Sequence, residues 1–234
     1  MPTVLLVRHG RTTANASGVL AGRTPGVRLD AVGRQQAERA AQRISGIPLV
    51  AVVTSPLERC RQTARSLVAL QQTPPELLVE RGITECDYGD WQGRTLKDLA
   101  TEKLWSVVQT QPSAATFPGG ESMSAMQARS VAAVRAHDAA VAERHGERAV
   151  WAAVAHGDII KSILADALGM HLDLFQRIAV GPASISVVRY GDRRPEVVAT
   201  NSDAGDLSWL AATAPAGDAP VGGGAGPSDE PAGT

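Results

Sequence analysis

Two cysteines in 234 residues, Cys60 and Cys86, stand far apart with no Cys-x-x-Cys spacing. That argues against a disulfide framework or a zinc knuckle and fits a reducing compartment. No apolar run approaches the roughly 18 residues of a membrane span, and the first ten residues lack a charged segment leading a long apolar one, so neither a membrane helix nor a signal peptide is expected. Charge of one sign is missing too. With 23 basic and 24 acidic residues and a net charge of -1, no overall field draws nucleic acid, a membrane surface or a polyanion, and an anion site has to be local. The expectation is a cytoplasmic protein with neither nucleic-acid nor membrane partners. Also lacking are a Walker lysine loop, a Rossmann glycine pattern in a strand-to-helix turn, a nucleophile-elbow serine, an acidic cluster suited to magnesium and any solenoid repeat.

What is present is enough apolar sequence, 44% of the chain, to bury one full core. Residues 3–7 (TVLLV), 49–53 (LVAVV) and 149–155 (AVWAAVA) are short, valine-rich runs without alternation, the pattern of central strands covered on both faces. The second leads into SPLERCRQTARSLVAL, where Ser55 and Glu58 form a candidate capping box with Pro56 between them. The third leads into IIKSILADALG, with Asp158 as candidate cap and Gly169 as stop. Strand followed by helix, repeated, predicts parallel strands with right-handed crossovers. Helical spacing also marks VGRQQAERAAQRI, LKDLATEKLWSVVQ and a longer stretch from Ser122 to about Arg144. A short strand is expected before Glu85. Residues 185–201 read as two valine-rich strands around a Gly191-Asp192 turn, an antiparallel pair at one sheet edge. From Ala212 the chain is almost all Ala, Pro, Gly, Ser and acids, read as a disordered tail, 212–234. The fold class is therefore α/β, with one domain over 1–211, a small cap segment at about 93–121, and that tail.

Three of the strands end in chemistry. The first runs into Arg8-His9-Gly10, the second into Ser55 through Arg59, the third into His156-Gly157. In open α/β sheets such strand ends converge on one site. Two arginines, two histidines and Asn15 at one edge suit the capture of a phosphoryl group. Arginine matches phosphate oxygens bidentately, and a neutral histidine is a competent nucleophile. Gly10 and Gly157 would let backbone N–H groups approach the anion, and helix N-termini add partial positive charge. A leaving alkoxide still needs a proton. Glu85, in RGITECDYGDWQG with apolar Ile83, Tyr88 and Trp91 close in sequence, would have its pKa raised beside a phosphate dianion and serve as general acid.

LLVRHGRTTAN, TSPLERCRQTA, TECDYGDWQG, PGGES and AVAHGDII, in that order and spacing, resemble the histidine phosphatase superfamily, also called phosphoglycerate-mutase-like, over the chain up to about residue 190. The resemblance implies a three-layer α-β-α sandwich with a mostly parallel sheet and an antiparallel edge strand. It implies His9 as the phosphorylated nucleophile, Arg8 and Arg59 as phosphate clamps, His156 as donor to the phosphoryl oxygens, Glu85 as proton donor and Asn15 as a pocket hydrogen-bonder. The assignment of Glu85 leans on this resemblance, and Arg59 taken alone is read as a surface partner of Glu58 or Glu80. Departures exist. LAGRTPGVRLDAVG stands where many relatives carry a glutamine-glycine pair and an Asp-x-Pro-Leu-Thr segment, which makes Arg23 or Arg28 a candidate for contact with a second anionic group; Gly22 and Arg23 are expected as substrate-binding residues. No long insertion with a carboxylate-binding lysine and Arg-Arg pair lies between Gly93 and Pro118, and Trp91 in GDWQG resembles the phosphatase branch. The chain is also similar to an actinobacterial subgroup named as phosphomutases.

The expected function is a metal-independent phosphatase acting on a phosphorylated small molecule through a phosphohistidine, with no cofactor and no metal ligand. The alternatives are a phosphomutase and a non-catalytic phospho-ligand binding module. Cys60 and Cys86 are expected as buried fillers, and His137, His145 and His171 as surface or boundary residues. The strand near residue 197 offers a homodimer seam.

Overall fold

The computed structural model describes residues 2–191, 194–203, 221, 222 and 224. Among these residues six strands form one sheet: β1 (Thr3–Arg8), β2 (Leu49–Thr54), β3 (Glu76–Val79), β4 (Val150–Ala155), β5 (Ile185–Tyr190) and β6 (Pro195–Ser202). Their order is β3-β2-β4-β1-β5-β6. The first four are mutually parallel, and β5 pairs antiparallel with both β1 and β6. Asp192, in the expected turn between the last two strands, lies outside the described residues.

Among the described residues the α-helices are α1 (Thr13–Ala16), α2 (Ala31–Ile44), α3 (Glu58–Ala69), α4 (Leu96–Leu99), α5 (Lys103–Thr110), α6 (Met123–His145) and α7 (Gly157–Ala167). Strand periodicity sorts the core into two layers. Leu5, Val7, Val52, Ala152 and Val154 face α2 and α3, packing on Ala40, Ile44, Ala64 and Leu67. Val4, Leu6, Val53, Trp151 and Ala153 face the opposite layer, with Met126, Val134 and Ile163 from α6 and α7. The valine-rich runs lack alternation because both faces are buried. The result is the three-layer α-β-α sandwich with an antiparallel edge.

Helix ends follow side-chain chemistry at some positions and not at others. Asp30 caps α2 through the Gly33 amide, and Ser122 caps α6 through the Ala125 amide. Three expectations are corrected. Helix α3 starts at Glu58 with Leu57 as an N-cap that makes no side-chain bond, because the Ser55 hydroxyl is engaged with His156 at 2.8 Å. Helix α7 starts at Gly157 with His156 in the cap position. Asp158 sits inside the first turn, where its Oδ2 accepts from the Tyr88 hydroxyl at 2.7 Å. The stretch 96–109, expected as one helix, is two short ones, interrupted where the Thr101 and Glu102 amides bond to the Asp98 and Leu99 carbonyls.

Candidate active site

The register of the sheet brings the two histidines together. Arg8 lies opposite Ala155 across the parallel β1/β4 pair, so the next residues, His9 and His156, leave adjacent strands side by side at the spacing of neighbouring strands, about 4.8 Å. Their ring centroids are 5.2 Å apart at an interplanar angle of 65°. Alternation sends Arg8 toward the layer of α6 and α7 and His9 toward α3, which supplies Arg59 to His9, Thr63 to the Gly10 amide and Cys60 to His156.

The hydrogen bonds fix the protonation of His9. A carbonyl only accepts, so Nδ1–H donates to the Gly10 oxygen at 2.7 Å, and Nε2 is left with its lone pair. Arg59 Nε donates to that lone pair at 3.2 Å. Arg59 Nη2 also donates to His156 Nδ1 at 3.2 Å and to the Gly22 carbonyl at 2.8 Å. His156 in turn directs Nε2 at Ser55 Oγ. Both imidazoles are held well below the ordinary histidine pKa, first by burial and next by the Arg59 guanidinium, so both are neutral. Arg8 is buried, with Nη1 on the Val180 carbonyl at 2.9 Å and Nη2 on the Gly224 carbonyl at 2.9 Å. Burial lowers its pKa to about 10, which leaves it cationic at neutral pH.

Glu85 lies in the same nest, 2% exposed, with Oε1 accepting from the Cys86 amide at 3.0 Å and Oε2 at 3.8 Å from His156 Nδ1. Its pKa is pushed up to about 8, first by burial and then by the Asp158 carboxylate, against the pull of Arg59 and Arg8. A carboxyl protonated at neutral pH inside a ring of cations is a proton donor. The backbone of Thr84 and Glu85 is tied down by three bonds that no local pattern signals. The Glu85 carbonyl accepts from Arg23 Nε at 2.8 Å and Arg129 Nη2 at 3.2 Å, and Arg129 Nη1 also holds the Thr84 carbonyl at 2.7 Å.

The remaining candidates separate. Asn15 lines the cleft beside His9, Arg59 and Glu85. Its carbonyl oxygen is committed to the Thr12 amide and hydroxyl, which leaves the NH2 group for a ligand. Gly22, at φ +50, also lines the cleft. Gly157 is the first residue of α7 and is not in the cleft wall. Arg23 is turned away from the cleft and pairs with Glu121 at 2.9 Å and Asp87 at 3.3 Å. Gly10 serves packing more than anion approach. Its amide donates to Thr63 Oγ1 at 3.2 Å, and a Cβ there would stand 2.2 Å from the Gly33 carbonyl oxygen. Both cysteines are buried, and burial raises the Cys60 thiol to about 12. Among the described residues, no three His, Cys, Asp or Glu side chains form a metal-holding group, and no helix is long and apolar enough to cross a membrane.

The profile of the histidine phosphatase superfamily (branch 1) matches residues 4–203, the span that carries every one of these side chains. The chain belongs to that superfamily. Among curated relatives, the adenosylcobalamin/alpha-ribazole phosphatase of Escherichia coli is 36% identical over 97 residues, 42% of this chain and 46% of that protein, so the match spans under half the length of that relative. The phosphoglycerate mutase-like protein 4 of Arabidopsis thaliana is 31% identical over 165 residues, 68% of each chain. Among solved structures, a mycobacterial glucosyl-3-phosphoglycerate phosphatase in complex with VO3 superposes with a TM-score of 0.76 at 26% identity, covering 86% of this chain and 99% of that one. Relatives of this chain are named as phosphatases and as phosphoglycerate mutase-like proteins. Sequence reading missed Ser55 as the partner of His156, Tyr88 as the partner of Asp158, and Arg129. Each is joined to the site only by contacts between distant segments.

Proposed function

We propose that this protein is a metal-independent phosphatase that hydrolyses a phosphomonoester through a phosphohistidine at His9. The observation that carries this is the His9 Nε2 lone pair, exposed to one cleft with Arg59 on it and with His156 and Glu85 beside it. The Nε2 lone pair attacks phosphorus in line, the P–O bond to the leaving group breaks, and Glu85 gives its proton to the departing oxygen. Water then attacks the phosphorus, passes a proton to the Glu85 carboxylate, and the P–N bond breaks to release inorganic phosphate. Arg8, Arg59, the Asn15 amide and His156 donate to the oxygens, with further positive potential from the start of α7 near Gly157. Ser55 Oγ can accept or donate, so His156 can turn Nδ1–H toward a phosphoryl oxygen once Arg59 moves its donors to the phosphate. The arginines supply the positive charge that a metal would otherwise bring.

Hydrolysis is favoured over transfer by the cleft wall. Val19, Leu20, Ala21 and Leu96 face the alcohol half of a substrate, and Arg59 is the one cationic residue among the described residues that line it. A second charged group on a substrate, of the kind a mutase holds while it reorients a phosphorylated intermediate, has no counterion there. That a mycobacterial relative of this fold is solved in complex with VO3 supports reading the cleft as an oxyanion site. The competing mutase reading is supported by the Arabidopsis relative.

The test is turnover of p-nitrophenyl phosphate and a panel of phosphorylated metabolites with EDTA present. The expected result is inorganic phosphate in equal amount to the alcohol, at a rate that EDTA leaves unchanged. An isomeric phosphoester without free phosphate would establish the mutase. Binding of phosphate with no turnover of any ester would establish the non-catalytic module.

A further inference from the structure

We infer that Val221, Gly222 and Gly224, near the C-terminus, are an internal ligand of the phosphate site and keep part of the population closed to substrate. Two backbone contacts carry this. The Gly224 carbonyl accepts from Arg8 Nη2 at 2.9 Å, and the Gly222 amide donates to Asp158 Oδ2 at 3.0 Å. Val221, 2% exposed, and Gly222 and Gly224 line the same cleft as His9, Arg59 and Glu85. A carbonyl oxygen on a guanidinium nitrogen occupies a donor that a phosphoryl oxygen would use, so this inference rests on reading Arg8 as a phosphate clamp.

The composition of the stretch fits the place. Gly222 has φ +74, a backbone conformation that side chains with a Cβ rarely adopt, and it packs near Leu20 Cδ1. Residues 203–220 separate it from the end of β6, and eighteen residues reach up to about 60 Å when extended, so the chain can dock on its own cleft. The contacts are also of the kind that yields. A neutral carbonyl on Arg8 is a weaker partner than a phosphate dianion, whose hydrogen bonds are charge-assisted. A phosphoester therefore displaces the segment, and its apparent affinity is lowered by the fraction of molecules that are open.

The deciding variant is Gly222→Val, in which a β-branched residue is forced to positive φ. Binding of orthovanadate, measured by calorimetry, reads the anion site without turnover. The expected result is a fall in apparent Kd of about fivefold to tenfold. The KM for p-nitrophenyl phosphate falls by the same factor and kcat is unchanged. In the unmodified protein, saturating phosphate should accelerate proteinase K cleavage at Val221, followed by mass spectrometry, and this second reading holds even where the variant fails to fold. Equal vanadate affinity in both proteins, weaker binding in the variant, or a cleavage rate that phosphate does not change would each overturn the inference while leaving the anion site in place. Absence of vanadate binding in both would overturn the anion site, and the inference with it.

Discussion

The cluster around Glu121 and the cluster around Glu85 are built from the same kinds of side chain, two arginines with carboxylates, and they share the loop that carries residues 84–87. In the first, Glu121 accepts from Arg129 at 2.6 Å, from Arg23 at 2.9 Å and from the Asp87 amide at 2.9 Å, with Asp87 adding a second acceptor for Arg23. Burial opposes its ionisation, yet the bonds from Arg129 and the Asp87 amide hold its pKa below the usual carboxylate range. The second cluster is fully buried, and there the balance tips the other way. Desolvation and Asp158 outweigh Arg59 and Arg8, Glu85 keeps its proton, and Arg59 spends its donors on neutral nitrogens and a carbonyl. A self-satisfied network holds a loop in place. One in which Arg59 donates to neutral acceptors can turn those donors to a ligand that brings an anion.

The largest effect that can break this comparison is expected from Glu85→Gln. The amide cannot release a proton, so kcat for an alkyl phosphate should drop about 10²- to 10⁴-fold, and less for p-nitrophenyl phosphate, whose leaving group needs little protonation. Alkyl phosphate turnover by the unmodified protein should fall as pH rises through about 8, because the donor is lost there. The sign for stability follows. The folded pKa of about 8 exceeds the ordinary 4.5, so the native state holds a proton that the unfolded state has released between those values. Stability is thus lost as pH rises from about 4.5 to about 8. Urea midpoints measured across that range should slope downward for the unmodified protein and less for Glu85→Gln. Equal slopes would remove the protonated Glu85 from the account.

Gly10→Ala should come next, acting on position instead of charge. The added carbon meets the Gly33 carbonyl oxygen at 2.2 Å, and backbone on both sides has little room to give. A stability loss of about 1–3 kcal/mol is expected, or a Tm lower by about 2–4 °C for each of those kcal/mol. Turnover should fall as well because His9 adjoins the displaced peptide. The smallest effect separates the two clusters directly. Arg129→Ala removes the ties to the Thr84 and Glu85 carbonyls without touching the phosphate seat. It should lower kcat several-fold, leave the vanadate Kd unchanged, and cost about 1–2 kcal/mol after allowance for the partial exposure of the Arg129–Glu121 pair. A matching loss of vanadate affinity would mean that the clusters are one unit.

The parallel strands, their covered faces and the convergence of their ends were legible in the sequence. Valine-rich runs without alternation have one structural use, and His9 and His156 each follow such a run at equivalent points, so sheet register alone pairs them. Glu85 was legible only through family resemblance, because a loop glutamate has no periodicity and its pKa depends on burial contributed by distant segments. Ser55 shows the limit of local rules. Its spacing to Glu58 and Pro56 fits a capping box, yet the hydroxyl goes to His156, 101 residues away, because a buried imidazole nitrogen needs a partner. Arg23 looked like a ligand contact for its place in a departing loop, but Glu121 and Asp87 lie within reach of it and neither is near in sequence. The Gly222–Gly226 run read as tail composition alone. Val221, Gly222 and Gly224 meet a cleft assembled from residues that precede them by more than sixty positions.

Trapping the covalent intermediate tests the central claim most directly. The protein is mixed with phosphorus-32-labelled p-nitrophenyl phosphate, quenched in alkali within milliseconds, digested and mapped. The account predicts a base-stable, acid-labile label on the peptide that contains His9, absent from His9→Ala, whose turnover should fall about a thousandfold or more. Turnover-competent protein that carries no label on His9, or carries it on another residue, would contradict it.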